Sequence, residues 1–295
     1  MYRRERNIAI AVGLILLIAV IAFATTRSVG SRIYPVKLGG KYGYIDHAGK
    51  LVINPQFEQA GHFSEGTAPV KVGQKWGYID RHGTLVIQPQ FDLADPFSNG
   101  RALIGSGRQF GYIDSSGRFV INPQFEGAGR FSADLAPVQM ANRWGYINKD
   151  GKIAINPQFE EAGNFSNGRA LVRMGDRYGY IDKSGKLAIN PQFEGAGEFS
   201  DGLALVQTGS KFGYIDKDGK MVINPQFQQA GDFSDGLAYV VMGNRFGYIN
   251  KSGKFAINPQ FDEAGEFAHG LAPVWLGDRQ GYINKDGKYV WNPTS

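Results

Sequence analysis

Short stretches of alternating apolar and polar residues recur along most of the chain with a fixed period of 34 residues. Apolar residues at every second position are typical of β-strands, and the Gly-containing pairs between the stretches are typical of turns. Helical repeats of the same length are excluded, because each period is rich in Gly and Pro and lacks a long stretch of 3.6-residue spacing. The pattern therefore predicts an all-β array. A Gly-Tyr-Ile tripeptide marks the eight repeats and begins at Gly43, Gly77, Gly111, Gly145, Gly179, Gly213, Gly247 and Gly281.

Each period predicts three strands that follow one another as a β-meander. The first covers residues 67–72 and their equivalents, where Pro69 cannot donate to a ladder and so indicates an edge strand. The second is the segment with Gly77, whose missing side chain predicts close approach by a neighbouring ring or backbone. The third begins near Leu51 and is expected to end at the Asn54-Pro55 pair.

The turns between these strands have recognisable chemistry. Glycine comes first in pairs such as Gly73-Gln74, which predicts a type II′ hairpin. Ala141 takes that place in one repeat, so either strain or a different turn is expected there. The next turn has Asp or Asn first and Gly fourth, which predicts a left-handed Gly185. Residues 216–219 resemble the start of a calcium loop, but the later oxygen ligands are missing, so a plain turn is predicted.

The third strand determines the predicted architecture. Leu51 and Ile53 face one way and Val52 the other, so both faces are apolar and burial on both sides is expected. Sheets buried on both faces must stack, either as a ring of blades or as an open superhelix. We favour a propeller-like ring, because the terminal repeats keep the internal apolar pattern instead of becoming polar caps.

The N-terminal residues differ from the repeats. A basic start, residues 1–7, precedes an apolar segment, residues 8–26, and a linker, residues 27–32; the repeat domain follows at 33–295. Such a segment is long enough to span a bilayer as a helix, and the preceding arginines favour a cytoplasmic N-terminus. A cleaved signal peptide is the alternative, because Ala22-Phe23-Ala24 fits a cleavage site. Both interpretations predict extracytoplasmic repeats, as a single-pass membrane protein or as a secreted one.

Composition limits the chemistry. The net charge is +5, but the N-terminal arginines supply most of it, so a nucleic-acid-binding face is not expected. Cysteine is absent, and the four histidines occupy different positions of the repeat, so a metal site is not predicted. They are expected to be exposed turn residues. No nucleophile, phosphate-binding or metalloprotease motif occurs, so neither catalytic residues nor a cofactor is predicted.

Several repeats carry Trp-Gly-Tyr-Ile followed by Phe-Ser-x-Gly-x-Ala, as at Trp76 and Trp144. In these segments the chain resembles the WG repeats, short all-β repeats found in bacterial proteins, often behind a signal or membrane anchor. The resemblance covers residues 33–295. It implies a binding or interaction module and assigns no catalytic residue. A weaker similarity connects the repeats with aromatic-Gly hairpins that bind the cell wall, although the unit of those hairpins is shorter.

A unique site must break the repeat symmetry. Trp275, Gln280 and Trp291 do so in the last repeat and are the candidate binding residues, as an exposed aromatic patch; the alternative is an end repeat relieved of packing constraints. The pair Asp95-Pro96 breaks the pattern separately. The resulting hypothesis is a non-catalytic, membrane-tethered, extracytoplasmic scaffold that binds an envelope protein, peptide or polysaccharide. A glycan-acting enzyme and a passive spacer are the alternatives.

Overall fold

The computed structural model describes residues 33–46, 50–268, 270–277 and 279–294, and only the backbone of residues 280 and 291–294. Among these residues no helix is long and apolar enough to cross a membrane. The predicted anchor, residues 8–26, lies outside the described residues, and so do His47, Gly49 and His269.

The described chain forms eight consecutive antiparallel sheets, each from one stretch of sequence. The first has three strands: β1 (Ile33–Leu38), β2 (Lys41–Asp46) and β3 (Leu51–Phe57). The next four are β4 (Gln59–Ala60), β5 (Ala68–Val72), β6 (Lys75–Ile79), β7 (Leu85–Phe91); β8 (Leu93–Ala94), β9 (Ala102–Ser106), β10 (Gln109–Ile113), β11 (Phe119–Phe125); β12 (Gly127–Ala128), β13 (Leu135–Met140), β14 (Arg143–Asn148), β15 (Ile153–Phe159); β16 (Glu161–Ser166), β17 (Arg169–Met174), β18 (Arg177–Ile181), β19 (Leu187–Phe193). The last three are β20 (Gly195–Ala196), β21 (Leu203–Thr208), β22 (Lys211–Asp216), β23 (Met221–Phe227); β24 (Gln229–Ala230), β25 (Leu237–Met242), β26 (Arg245–Asn250), β27 (Phe255–Phe261); β28 (Glu263–Ala264), β29 (Leu271–Leu276), β30 (Arg279–Asn284), β31 (Tyr289–Thr294).

These sheets are the blades of an all-β propeller, so the predicted fold class is confirmed. The described residues fall into two compact units. We call residues 33–192 with 217–219 the N-terminal unit, and residues 193–216 with 220–294 the C-terminal unit.

A fourth strand, which the sequence pattern did not predict, joins each sheet after the first. It has two residues in most sheets and pairs with the strand that was expected to lie at the edge, for example Ala60 opposite Val70. The proline in that strand is tolerated because it faces the short fourth strand with its carbonyl group, which needs only to accept. Gly61 N–H, directly after β4, donates to Pro69 O over 2.8 Å. The meander prediction therefore holds for three strands and misses the fourth.

The third strand differs from its prediction in two ways. It does not end at Asn-Pro but continues to a phenylalanine, with Asn122, Pro123 and Gln124 bulging opposite the single residue Gly111. Its second face is also exposed, since Val86 retains 47% of its accessible surface. The strand is outermost in its sheet, so only the inward-facing residues are covered by a neighbouring sheet.

Successive sheets nevertheless stack through buried residues of all three of their long strands. In the N-terminal unit, Tyr78 packs with Phe97 and Ile104 of the following sheet, whereas Ile79 packs with Ile53 of the preceding one. The same alternation recurs in the C-terminal unit, where Tyr214 and Ile223 pack with Phe233 and Val240, among others. The Tyr and Ile of the Gly-Tyr-Ile strand therefore face opposite sides, as neighbouring residues of a β-strand do, and both contribute to the stacked core.

The glycine of that strand is required by a backbone contact. A Cβ atom at Gly111 would lie 2.6 Å from Ile121 O and 2.7 Å from Pro123 N, in the bulge of the outer strand. The predicted close approach is therefore confirmed, and the approaching group is backbone and not a ring.

The hairpin turns follow their prediction in part. Gly73 has a positive φ of 62°, as expected for the first turn residue. Ala141 and Asn142 both have positive φ, so this repeat uses a type I′-like turn, and the φ of 48° also places Ala141 in the left-handed region, which is strained for alanine. Gly243 and Asn244 also both have positive φ, which indicates a type I′-like turn and contradicts the type II′ prediction for this pair. Gly185 has a φ of 84°, which confirms its left-handed position.

Candidate functional site

Several positions of the repeat change their chemistry from copy to copy, and one of them lies between two residues that stay nearly the same. It directly precedes the phenylalanine of the Phe-Ser segment and follows the short strand with which each sheet after the first begins, for example β4. We call these residues the inner column: His62, Pro96, Arg130, Asn164, Glu198, Asp232 and Glu266. A repeat that needs only packing has no reason to place five kinds of polar side chain at one position, so the inner column is the candidate site.

The backbone on both sides of an inner-column residue is held by the preceding sheet. At Arg130, Tyr112 Oη donates to Gly129 O over 2.8 Å, and Ser98 Oγ donates to Phe131 O over 2.8 Å. The rings of Tyr112 and Phe131 also meet edge to face, with centroids 4.8 Å apart. The tyrosine hydroxyl is buried, and this burial raises the pKa of Tyr112 well above its ordinary value. The frame is thus neutral, buried and hydrogen-bonded.

The same frame holds the column in the C-terminal unit. Tyr214 Oη donates to Gly231 O, and Ser200 Oγ donates to Phe233 O, each over 2.7 Å, which fixes the chain around Asp232. Around Glu266 the corresponding donors are Tyr248 and Ser234. A change of inner-column side chain therefore leaves the frame intact.

In the N-terminal unit the column brings together residues that are distant in sequence. Arg130 Nε lies 2.8 Å from Asp95 Oδ2, and the two residues come from adjacent repeats. Burial lowers the pKa of His62, and the charge of Arg130, two repeats away, lowers it further. The group presents a guanidinium, a carboxylate and an imidazole, which suits recognition of a polar partner by charge and hydrogen bonds.

In the C-terminal unit the column is acidic. Burial raises the pKa of Asp232, and both burial and the charge of Asp232 raise the pKa of Glu266. Tyr239 joins them from β25, where other repeats have Pro or Leu, and the ring packs against Gly231 so closely that a Cβ atom there would overlap it. The phenol has a raised pKa from burial and from the charges of Glu266 and Asp232. Identical frames thus present different chemistry in the two units.

Among the described residues no group of three His, Asp or Glu side chains is arranged to hold a metal ion.

The three predicted binding residues lie in the last sheet. The backbones of Trp275 and Gln280 are directly opposite each other, and Trp291 is opposite Tyr282 on the next strand. Trp275 is half-buried; the side chains of Gln280 and Trp291 lie outside the described residues, so the aromatic patch remains a prediction.

Sequence reasoning missed most of the inner column. His62 is exposed, as expected, but it lies on the inner column after β4 and not in a turn, and the charge of Arg130 acts on it. Asp95-Pro96 was recognised as a break in the pattern without its neighbours. The available signal was a variable position between two residues that recur in nearly every repeat.

Comparison with known proteins gives both family and fold. The family model described as "WG containing repeat" matches residues 42–76, 76–105, 110–144, 144–178, 178–212, 212–245 and 246–278. A solved structure titled "Crystal structure of the eukaryotic initiation factor" is similar with a TM-score of 0.61 at 10% identity, covering 90% of this chain and 85% of that one. "Dihydro-heme d1 dehydrogenase NirN in complex with DHE" gives 0.54 at 13% identity, covering 92% and 76%. Comparison with curated proteins gives no match. At these identities the solved structures support only the fold.

Proposed function

Because the chain belongs to the family of proteins with WG-containing repeats, we propose that it is a non-catalytic binding scaffold. The observation that carries this proposal is the inner column, in which one variable side chain per repeat projects from a frame of buried Tyr, Phe and Ser contacts. Such a frame tolerates variation at one position, as ligand-recognising positions on rigid scaffolds require.

The proposal includes a location. The basic residues 1–7 and the apolar residues 8–26 favour a membrane tether with a cytoplasmic N-terminus and extracytoplasmic repeats. The partner would then be a protein, peptide or polysaccharide of the cell envelope. Protease added to intact spheroplasts should digest the repeats and leave cytoplasmic marker proteins whole; protection of the repeats until the membrane is lysed would contradict this location.

Binding is tested with the full chain in mild detergent. The purified protein would be incubated with isolated cell wall and with solubilised envelope proteins, and the retained amounts compared between the native chain and Arg130→Ala. The matched control is Arg108→Ala, which removes the same side chain from an exposed hairpin turn of the preceding sheet in the same unit.

We expect Arg130→Ala to lower retention at least about tenfold, equivalent to about 1.4 kcal/mol, and Arg108→Ala to leave it unchanged. Absence of any retained partner would contradict the scaffold proposal. Equal retention of both variants would move the site away from the inner column, towards the predicted patch at Trp275.

A further inference from the structure

The first sheet lacks the short fourth strand that each of the other seven sheets contains. Among the described residues β1 pairs with β2 alone, whereas its equivalent β5 lies between β4 and β6. Val36 on β1 is half-buried, whereas Val70, the same residue type at the equivalent place on β5, is fully buried. In the part of the chain that the structure describes, β1 therefore has an open edge, to which a further extended segment can hydrogen-bond.

The second sheet shows how such a segment is held. Gly61 N–H donates to Pro69 O over 2.8 Å, and the N–H three residues earlier donates to Lys71 O over 3.0 Å. Pro35 and Lys37 occupy the same places in the first sheet, because β1 pairs with β2 in the register in which β5 pairs with β6. Their carbonyl groups therefore face the open edge and set the spacing of two donors.

Pro35 selects the residue that can lie against it. A Cβ atom on Gly61 would lie 2.7 Å from Pro69 Cγ, and the two other sheets with proline at this place have equally close glycines, at 2.7 and 2.8 Å. Asp95, which replaces this glycine in the third sheet, donates its N–H to Leu103 O and so faces no proline. A segment bound at Pro35 therefore requires glycine there.

Alanine is favoured directly before that glycine. In all seven fourth strands an alanine lies opposite a β-branched residue, as Ala60 lies opposite Val70. Val36 is the β-branched residue at this place in β1. The same small side chain therefore fits the open edge.

Lys37 favours an acidic residue before the alanine. It is exposed, and its Nζ lies 5.7 Å from the centre of the Tyr42 ring. In the fifth sheet the equivalent residue, Arg173, lies opposite Glu161 of the fourth strand, and its Nε is 2.9 Å from Glu161 Oε1. A carboxylate in the bound segment would form the corresponding ion pair with Lys37.

The sequence directly before β1 does not carry this pattern. One period before Ala60 and Gly61 the chain has Thr26 and Arg27. An arginine has the Cβ atom that the proline contact excludes, and it adds a cation where Lys37 favours an anion. The pattern therefore favours a segment of another protein.

We propose that the open edge of β1 binds an extended segment of a partner protein in which Glu or Asp is followed by Ala and Gly. The segment completes the first sheet as its fourth strand, with backbone hydrogen bonds to Pro35 and Lys37 and an ion pair to Lys37. This site is separate from the inner column and goes beyond the proposed function.

The test titrates a fluorescent peptide with the full chain in mild detergent and follows fluorescence anisotropy. The peptide has the sequence of residues 157–166, which contains Glu161, Ala162 and Gly163 in this order. Two further peptides carry Gly163→Ala and Glu161→Lys.

The protein variant is Lys37→Glu, which reverses the charge of an exposed side chain. Its matched control is Lys71→Glu, at the equivalent place on β5, where β4 already occupies the edge. The charge-reversed peptide with Glu161→Lys should bind Lys37→Glu as well as the original peptide binds the native chain, a rescue that general loss of folding does not produce.

We expect the native chain to bind the original peptide, and the Gly163→Ala peptide to bind at least about tenfold more weakly because its Cβ atom meets Pro35. Lys37→Glu should weaken binding of the original peptide by a similar factor, and Lys71→Glu should leave it unchanged. Absence of binding to the native chain, as when the chain closes the edge with its own preceding residues, overturns the proposal. Equal affinity for the Gly163→Ala peptide, or failure of the charge-reversed pair to restore binding, overturns it as well.

Discussion

The Gly-Tyr-Ile strand and the seven residues of the inner column lie close together, as the bond from Tyr112 Oη to Gly129 O beside Arg130 shows, yet they follow opposite rules. The strand repeats the same residues because its tyrosine is fully buried and its glycine lies against backbone, as at Tyr112 and Gly111. The column varies because its side chains project away from hydrogen bonds made by the residues beside them. A rigid frame therefore makes a variable site possible, and substitutions should be costly in the frame and nearly neutral for stability in the column.

The largest effect is expected from Gly111→Ala. The new Cβ atom would collide with Ile121 O and Pro123 N, which are backbone atoms of the outer strand and cannot move as a side chain would. We expect a loss of about 3 kcal/mol of unfolding free energy, measured by denaturant titration. Gly105→Ala in the same sheet is the matched control, since its Cβ would meet the side chain of Leu93 at 3.1 Å; an equal loss in both variants would mean that the bulge is not the cause.

An intermediate effect is expected from Gly185→Ala. Its φ of 84° disfavours a side chain, and a Cβ atom would also lie 2.9 Å from Ile155 Cγ2 in the preceding sheet. Gly100→Ala isolates the first cause, because Gly100 has a φ of 76° and nothing within 4 Å of that position. We expect Gly100→Ala to cost about 1 kcal/mol and Gly185→Ala clearly more. Equal thermal midpoints for the two variants would rule out the contact between sheets as a contributor.

The smallest effect on stability is expected in the column. Arg130→Ala removes an ion pair with Asp95 whose arginine is half exposed, and such pairs contribute little. We expect the free energy of unfolding to change by about 0.5 kcal/mol or less. A loss comparable with that of Gly111→Ala would make Arg130 part of the frame, and the binding test at this position would lose its meaning.

Most of the frame was predictable because it depends on residues close together in sequence. The period, the three strands, the left-handed turn glycines and the opposite faces of Tyr78 and Ile79 all follow from alternation and turn chemistry. The short fourth strand was not predictable, because two residues carry no periodicity. Exposure of Val86 was missed because an apolar residue indicates burial only when another sheet lies opposite it, and that face of the outer strand is exposed at Val86.

The sequence by itself determined that eight equal β units follow one another and where each unit turns, because backbone preferences and alternation act over a few residues. Only the tertiary structure decided which surfaces those units cover and which side chains of different repeats meet. Arg130 reaches Asp95, and Asp232 lies against Gly197, because stacking places residues of successive sheets side by side. That proximity depends on the packing of whole sheets, which no local pattern of residues specifies.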